Sequence, residues 1–79
     1  MKFAQAYEIA MQKSAEFRRH DARVKEAMKN GTDSGCLVFS VGAGESFYYG
    51  FDGVDLHSGR HTRKRAVALM NREEVLLIF

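Results

Sequence analysis

The chain predicts an α+β fold: a long N-terminal helix, an antiparallel β-sheet of three to four strands, and a second short helix before a C-terminal strand, in the order α-β-β-β-α-β. Three observations predict it. Apolar residues recur at steps of four and three through residues 3–28. Two short apolar and aromatic runs follow, divided by glycine-rich turns. A basic helical segment then leads into five consecutive apolar residues.

The first stripe runs Phe3, Tyr7, Ala10, Ser14, Phe17, Asp21, Val24 and Met28, widened by Ala6, Met11 and Ala27. It weakens at Ser14 and at His20-Asp21. The expected helix spans about Lys2 to Lys29, and Asn30-Gly31 stops it because glycine accepts the left-handed conformation. Such a helix would be about 40 Å long, longer than a domain of this size is wide. That excess predicts a kink, a frayed end or a partner. A homodimer formed through Phe3, Tyr7, Met11 and Phe17 is the assembly this stripe suggests.

Thr32 to Gly35 is a turn cluster, and Cys36 to Val41 reads as a buried strand. Gly42-Ala43-Gly44 closes a hairpin onto Ser46 to Phe51. Asp52-Gly53 is a type I′ turn signal, because both central residues of that turn need positive φ. A third short strand is expected from Val54 to His57. Arg63 to about Asn71 reads as the second helix, with Ala66, Val67, Leu69 and Met70 on its apolar side and Thr62 or Ser58 as its cap. Val75 to Phe79 reads as a strand buried on both faces. The helices are expected on one face of the sheet. No internal repeat is present.

Seventy-nine residues make a single domain, 1–79. The chain is 46% apolar, 28% charged and 11% aromatic, which excludes disorder. One cysteine, Cys36, excludes an internal disulfide framework and favours a reducing, cytoplasmic home. No apolar run reaches the roughly 18 residues of a membrane span, so no membrane association is expected.

Charge is distributed unevenly. Residues 1–29 carry seven basic against four acidic side chains, a net +3. Residues 30–59 carry Asp33, Glu45, Asp52 and Asp55 with no Lys or Arg, a net −4. Residues 60–79 carry five basic against two acidic, again +3. A uniformly basic coat for nucleic acid would not alternate in this way.

No catalytic, metal or cofactor site is expected. Val41 to Ser46 has two glycines of a dinucleotide loop, but Phe47 stands where the third belongs and a strand follows instead of a helix. His57 and His61 are four apart, yet Gly59 between them argues against a shared helix, so both read as loop histidines. Ser46 lacks the flanking glycines of a nucleophile elbow. Cys36 opens an apolar strand, where a thiol is usually a small hydrophobe. Glu73 and Glu74 are adjacent and point apart.

The basic run Arg60, Arg63, Lys64, Arg65 stands out. Three of its cations fall on a helix N-terminus, whose dipole disfavours them by a few tenths of a kcal/mol or more each. Relief comes from nearby acids or from an anionic partner. Thr62-Arg63-Lys64-Arg65-Ala66 is similar to the Ser-Lys-Lys-x-Ala start of the second helix in double-stranded-RNA-binding domains, and the α-β-β-β-α order is similar too. The resemblance implies a helix start lying across phosphates. Val67 stands where the family has a further lysine, Met70 where it has a small residue, and the first helix is longer.

The function expected is that of a non-enzymatic intracellular binding protein. In size it matches phage or mobile-element accessory proteins and inhibitors of the anti-defence type, docking on a larger protein. Arg60, Arg63, Lys64, Arg65, Tyr48 and Tyr49 are the expected contacts. The alternative is a small RNA- or DNA-binding domain using Arg60–Arg65 with Arg18, Arg19 and Arg23.

Overall fold

Ser14 divides the N-terminal helical segment in two. The computed structural model, which describes residues 1–42, 44–53, 55–71 and 75–79, has α1 at Phe3–Lys13 and α2 at Ala15–Asn30. The expected single helix is therefore corrected. Ser14 adopts an extended backbone, φ −127° and ψ 114°. Its N–H donates to the Ala10 carbonyl and closes α1, while its hydroxyl accepts from the Phe17 N–H at 3.0 Å and opens α2. Arg18 turns back and donates to the Met11 carbonyl at 2.7 Å, satisfying an acceptor the end of α1 leaves open. The molecule is only 35 Å in its longest dimension, so a straight helix of that length would not have fitted within it. Gly31 ends α2 at φ 64°, in the left-handed cap conformation.

The strands are β1 Ser34–Ser40, β2 Ser46–Asp52, β3 Asp55–His61 and β4 Val75–Ile78, with α3 Arg63–Met70 between the last two. They form one sheet in the order β3-β2-β1-β4. β1, β2 and β3 make an antiparallel meander, whereas β4 lies parallel to β1. The sheet is mixed rather than antiparallel, because α3 carries the chain across the sheet before β4 begins. The expected Ala43 loop, the Val54 strand start and the Glu73-Glu74 pair lie outside the described residues.

Strand register explains the core. Leu37 pairs with Tyr49 and Phe39 with Phe47, so these four side chains share one face with Phe51. Ala6 and Ala10 of α1 and Phe17, Val24 and Ala27 of α2 cover them. The rings interlock edge to face; Phe17 and Phe39 centroids are 4.7 Å apart. Burying each such phenylalanine contributes about 1.5–3 kcal/mol. Phe3, Tyr7 and Met11 pack half-buried against this core, and Phe17 is fully buried in it. The stripe that suggested a dimer is thus largely covered within one chain.

The opposite face holds a second, smaller layer. Val38 is buried yet lies outside the main cluster, as does Ala66 of α3. α3 packs on β1 and β2 there. The expectation of helices on one face is corrected: α1 and α2 take one side and α3 the other. Gly50 lies on the α3 face, where a Cβ would come within 2.5 Å of the Gly35 carbonyl oxygen. That close strand approach requires glycine.

The Ser14 hydroxyl caps α2 in a buried setting. Ser14→Ala is expected to lower stability by about 1 kcal/mol, read as a lower urea midpoint with an unchanged slope. A midpoint equal to wild type would remove Ser14 as the cause of the break.

Candidate functional site

Four of the eight described basic side chains outside α3 are engaged within the molecule, and Lys2, Lys13, Arg19 and Lys29 form no ion pair among the described residues. Arg18 caps α1. Arg23 pairs with Asp33 at 3.0 Å, and Lys25 with Asp21 at 3.0 Å. Arg60 donates to the Met1 carbonyl at 2.8 Å and lies 3.5 Å from Glu45, which also holds the terminal amino group at 2.9 Å. These contacts place Arg60 in a clasp between the N-terminus and β3. The expected run Arg60–Arg65 is therefore split.

Arg63, Lys64 and Arg65 are different. All three are exposed in the first turn of α3, and among the described residues none has a carboxylate within ion-pair distance. That turn contains no acidic residue. Thr62 caps it through a long 3.4 Å bond from the Arg65 N–H, near the limit of useful geometry. One turn on, Val67 is 50% exposed, so the outward face of α3 carries aliphatic surface among cations.

A cleft of about 830 Å³ passes beside Ser34–Leu37 of β1, where β4 does not cover the strand fully, and is lined from both faces of the sheet. Arg19 and Arg23, one turn apart on α2, border it on one side, and Arg65 and Leu69 of α3 on the other. Glu16 and Asp52 also line it. Three rings sit on its β-sheet wall. Tyr48 lies 3.6 Å from His61 and 5.8 Å from His57, centroid to centroid, with the ring planes inclined by 31° and 28°. The ring passes over Gly59, whose absent Cβ would stand 3.4 Å from it. The histidines belong to a seven-residue strand and share the Tyr48 face through the β2–β3 register. This corrects the loop reading of His57 and His61 and the short third strand.

Tyr48 remains partly open to the cleft, but Tyr49 does not reach solvent. It is buried, and its hydroxyl donates to Asp21 at 2.7 Å. Tyr49 is corrected from a contact residue to a core one. Among the described residues no three His, Cys, Asp or Glu side chains converge to hold a metal ion. No helix among them is long and apolar enough to cross a membrane.

Sequence reasoning missed the buried polar group beneath this side. Asp21 accepts from both Tyr7 and Tyr49 at 2.7 Å. His20 is buried beside it, its Nε2 2.6 Å from the Tyr49 carbonyl. A carbonyl only accepts, so Nε2 carries the proton. The available signal was His20-Asp21 interrupting an apolar stripe: a carboxylate at a core position needs donors.

Burial pushes the pKa of His20 down despite the carbonyl bond that favours its charged form. Burial also lowers His61, helped by the charges of Arg65 and His57. The His61 Nε2 is buried with no hydrogen-bond partner among the described residues.

Comparison with protein-family models, curated proteins and solved structures returns no match for this chain. The five-residue likeness at Thr62–Ala66 to double-stranded-RNA-binding domains thus has no family-level match behind it.

Both histidines have folded pKa values below the ordinary 6.5. Between the folded and unfolded values the unfolded chain binds more protons, so stability is full above about pH 6.5 and is lost as pH falls below it. The urea midpoint should fall between pH 7.5 and pH 5.5, and less so in His61→Gln. An identical fall in that variant would assign the effect elsewhere.

Proposed function

We propose that this chain is a non-enzymatic binding module that docks on a larger, acidic protein through the outward face of α3. The observation that carries the reading is a run of three consecutive cations at one helix N-terminus with no carboxylate partner among the described residues. Arg18, Arg23, Lys25 and Arg60 are engaged internally, whereas Arg63, Lys64 and Arg65 stand exposed at the positive end of a helix dipole. Holding them there costs a few tenths of a kcal/mol or more each. Carboxylates supplied by a partner reverse the sign of that term. Val67 at the same surface supplies the apolar centre that protein interfaces have and phosphate-binding surfaces do not require. A module of this kind acts by occupying its partner's surface, which is how a small accessory or inhibitor protein of mobile-element type works. We place it in the cytoplasm, where its single cysteine stays reduced.

A nucleic-acid reading draws support from one arrangement. Arg19, Arg23 and Arg65 border a cleft walled by Tyr48 and His57, and cations with rings suit single strands. Glu16 and Asp52 in the same cleft repel phosphate, and Arg23 is already paired with Asp33. The protein reading is the stronger for that reason.

The test is capture of partners from the source cell, with and without nuclease, by wild type and by Arg63→Glu/Lys64→Glu/Arg65→Glu. The expected partner survives nuclease and is lost with the triple variant, while circular dichroism shows an unchanged fold. Loss on nuclease treatment would favour the nucleic-acid reading. Binding unchanged by the triple reversal would overturn the role of α3.

A further inference from the structure

We infer that the outer edge of β4 is a self-association surface, on which a second copy of this chain docks by antiparallel strand pairing. β4 is the last strand of the sheet and is paired on one side only, with Leu37–Ser40 of β1. Among the described residues no element is hydrogen-bonded along its other side. An open strand edge presents a row of backbone donors and acceptors, which makes it a template for another strand.

The two edges of this sheet are built differently. β3, the opposite edge, carries Asp55 and Arg60, and Arg60 is tied into the clasp with Glu45 and Met1. Charges on an edge strand oppose pairing with another sheet. Leu76-Leu77-Ile78-Phe79 carries no charge and no proline. Ile78 is 74% exposed, the most exposed large apolar residue described, and Leu76 is 36% exposed. Both lie on the α3 face of the sheet, since they register with Ser40 and Val38. α3 packs on β1 and β2, and Ile78 stays largely uncovered beside it.

The register identifies the occupant. A two-fold axis through Leu77 sets Leu76 of one copy opposite Ile78 of the second, and Ile78 opposite Leu76. Opposed residues of an antiparallel pair point to the same face, about 4.5–5.5 Å apart. Each copy then covers the aliphatic side chains the other leaves exposed. No charged side chain meets another between Leu76 and Phe79, because that stretch has none. The contact is isologous and closes on itself, giving an eight-stranded sheet rather than a fibre. Strands this short bury less than the roughly 1,200 Å² of a stable specific interface, so the dimer forms and dissociates with concentration. The α3 cations take no part in it, which separates this inference from the docking role of α3.

Light scattering or sedimentation over a rising concentration series tests it, with wild type and Ile78→Lys. Ile78 is exposed in a single copy, so the lysine variant keeps its fold, checked by circular dichroism. The expected wild-type mass climbs from 8.9 kDa toward twice that value, and Ile78→Lys stays at the monomer mass throughout. Leu76→Lys should behave likewise, while Arg63→Glu/Lys64→Glu/Arg65→Glu should dimerise as wild type does. A wild-type chain that remains monomeric over the series would overturn the proposal. So would an Ile78→Lys variant that dimerises as readily as wild type.

Discussion

The carboxylate of Asp21 joins the parts of this molecule that the hydrophobic core alone would leave free to slide. Its Oδ1 accepts from the hydroxyls of Tyr7 on α1 and Tyr49 on β2, each at 2.7 Å, and its Oδ2 meets Lys25 at 3.0 Å. Burial raises the pKa of such a group, but the bonds from Tyr49, Tyr7 and Lys25 outweigh it and hold the carboxyl below its ordinary value. Burial, together with the same contacts, pushes Tyr7 up to about 12 and raises Tyr49 as well. A charge in this position is costly unless it is fully bonded. Here it is bonded to two other elements, so α1, α2 and β2 have one relative arrangement. The His20 bond to the Tyr49 carbonyl reinforces the α2–β2 contact.

That anchoring gives the sheet two unlike sides. On one, two helices and a set of interlocked rings make a closed, rigid layer. On the other, a single eight-residue helix covers Val38 and leaves cations, Val67 and the strip along β4 facing outward. The inner side determines the shape, and the outer side is free to make contacts. Arg18, Arg23 and Arg60 make contacts within the molecule, whereas Arg19 on α2 and the arginines of α3 face outward.

The parts of the fold legible in the sequence are those set by local chemistry. Asn30-Gly31 marks the end of α2 and Thr62 the start of α3, each because a neighbouring residue decides the backbone. Gly53 marks the second hairpin at φ 63°, but Asp52, expected as its other central residue, ends β2 opposite Asp55. Ser14 is visible as a weak point, but whether a polar residue on a stripe caps a new helix or points to solvent depends on where the chain goes next. β3 reads short because His57-Ser58-Gly59-Arg60-His61 lacks apolar alternation. Its pattern is one of rings set around Tyr48, a neighbour on another strand. Tyr49 looks as available as Tyr48 in sequence; its partner is 28 residues away. The basic run is legible as a run, but the removal of Arg60 from it depends on a bond 59 residues back to Met1. The C-terminal strand is legible, but its expected burial on both faces is corrected, with Ile78 74% exposed: the strand lies at the open edge of the sheet, and strand order is a long-range property.

The dependence of this arrangement on Asp21 is measured most directly by a double-mutant cycle. Asp21→Asn, Tyr49→Phe and the double variant are unfolded in urea beside wild type. Removing the Tyr49 hydroxyl leaves a buried carboxylate short of a donor and should cost about 1.5–3 kcal/mol in the wild-type background. The same removal should cost much less in the Asp21→Asn background, where no buried charge is left short of a donor. The account predicts a coupling between the two sites on the order of 1–3 kcal/mol. Additive effects, with a coupling within about 0.5 kcal/mol of zero, would contradict it.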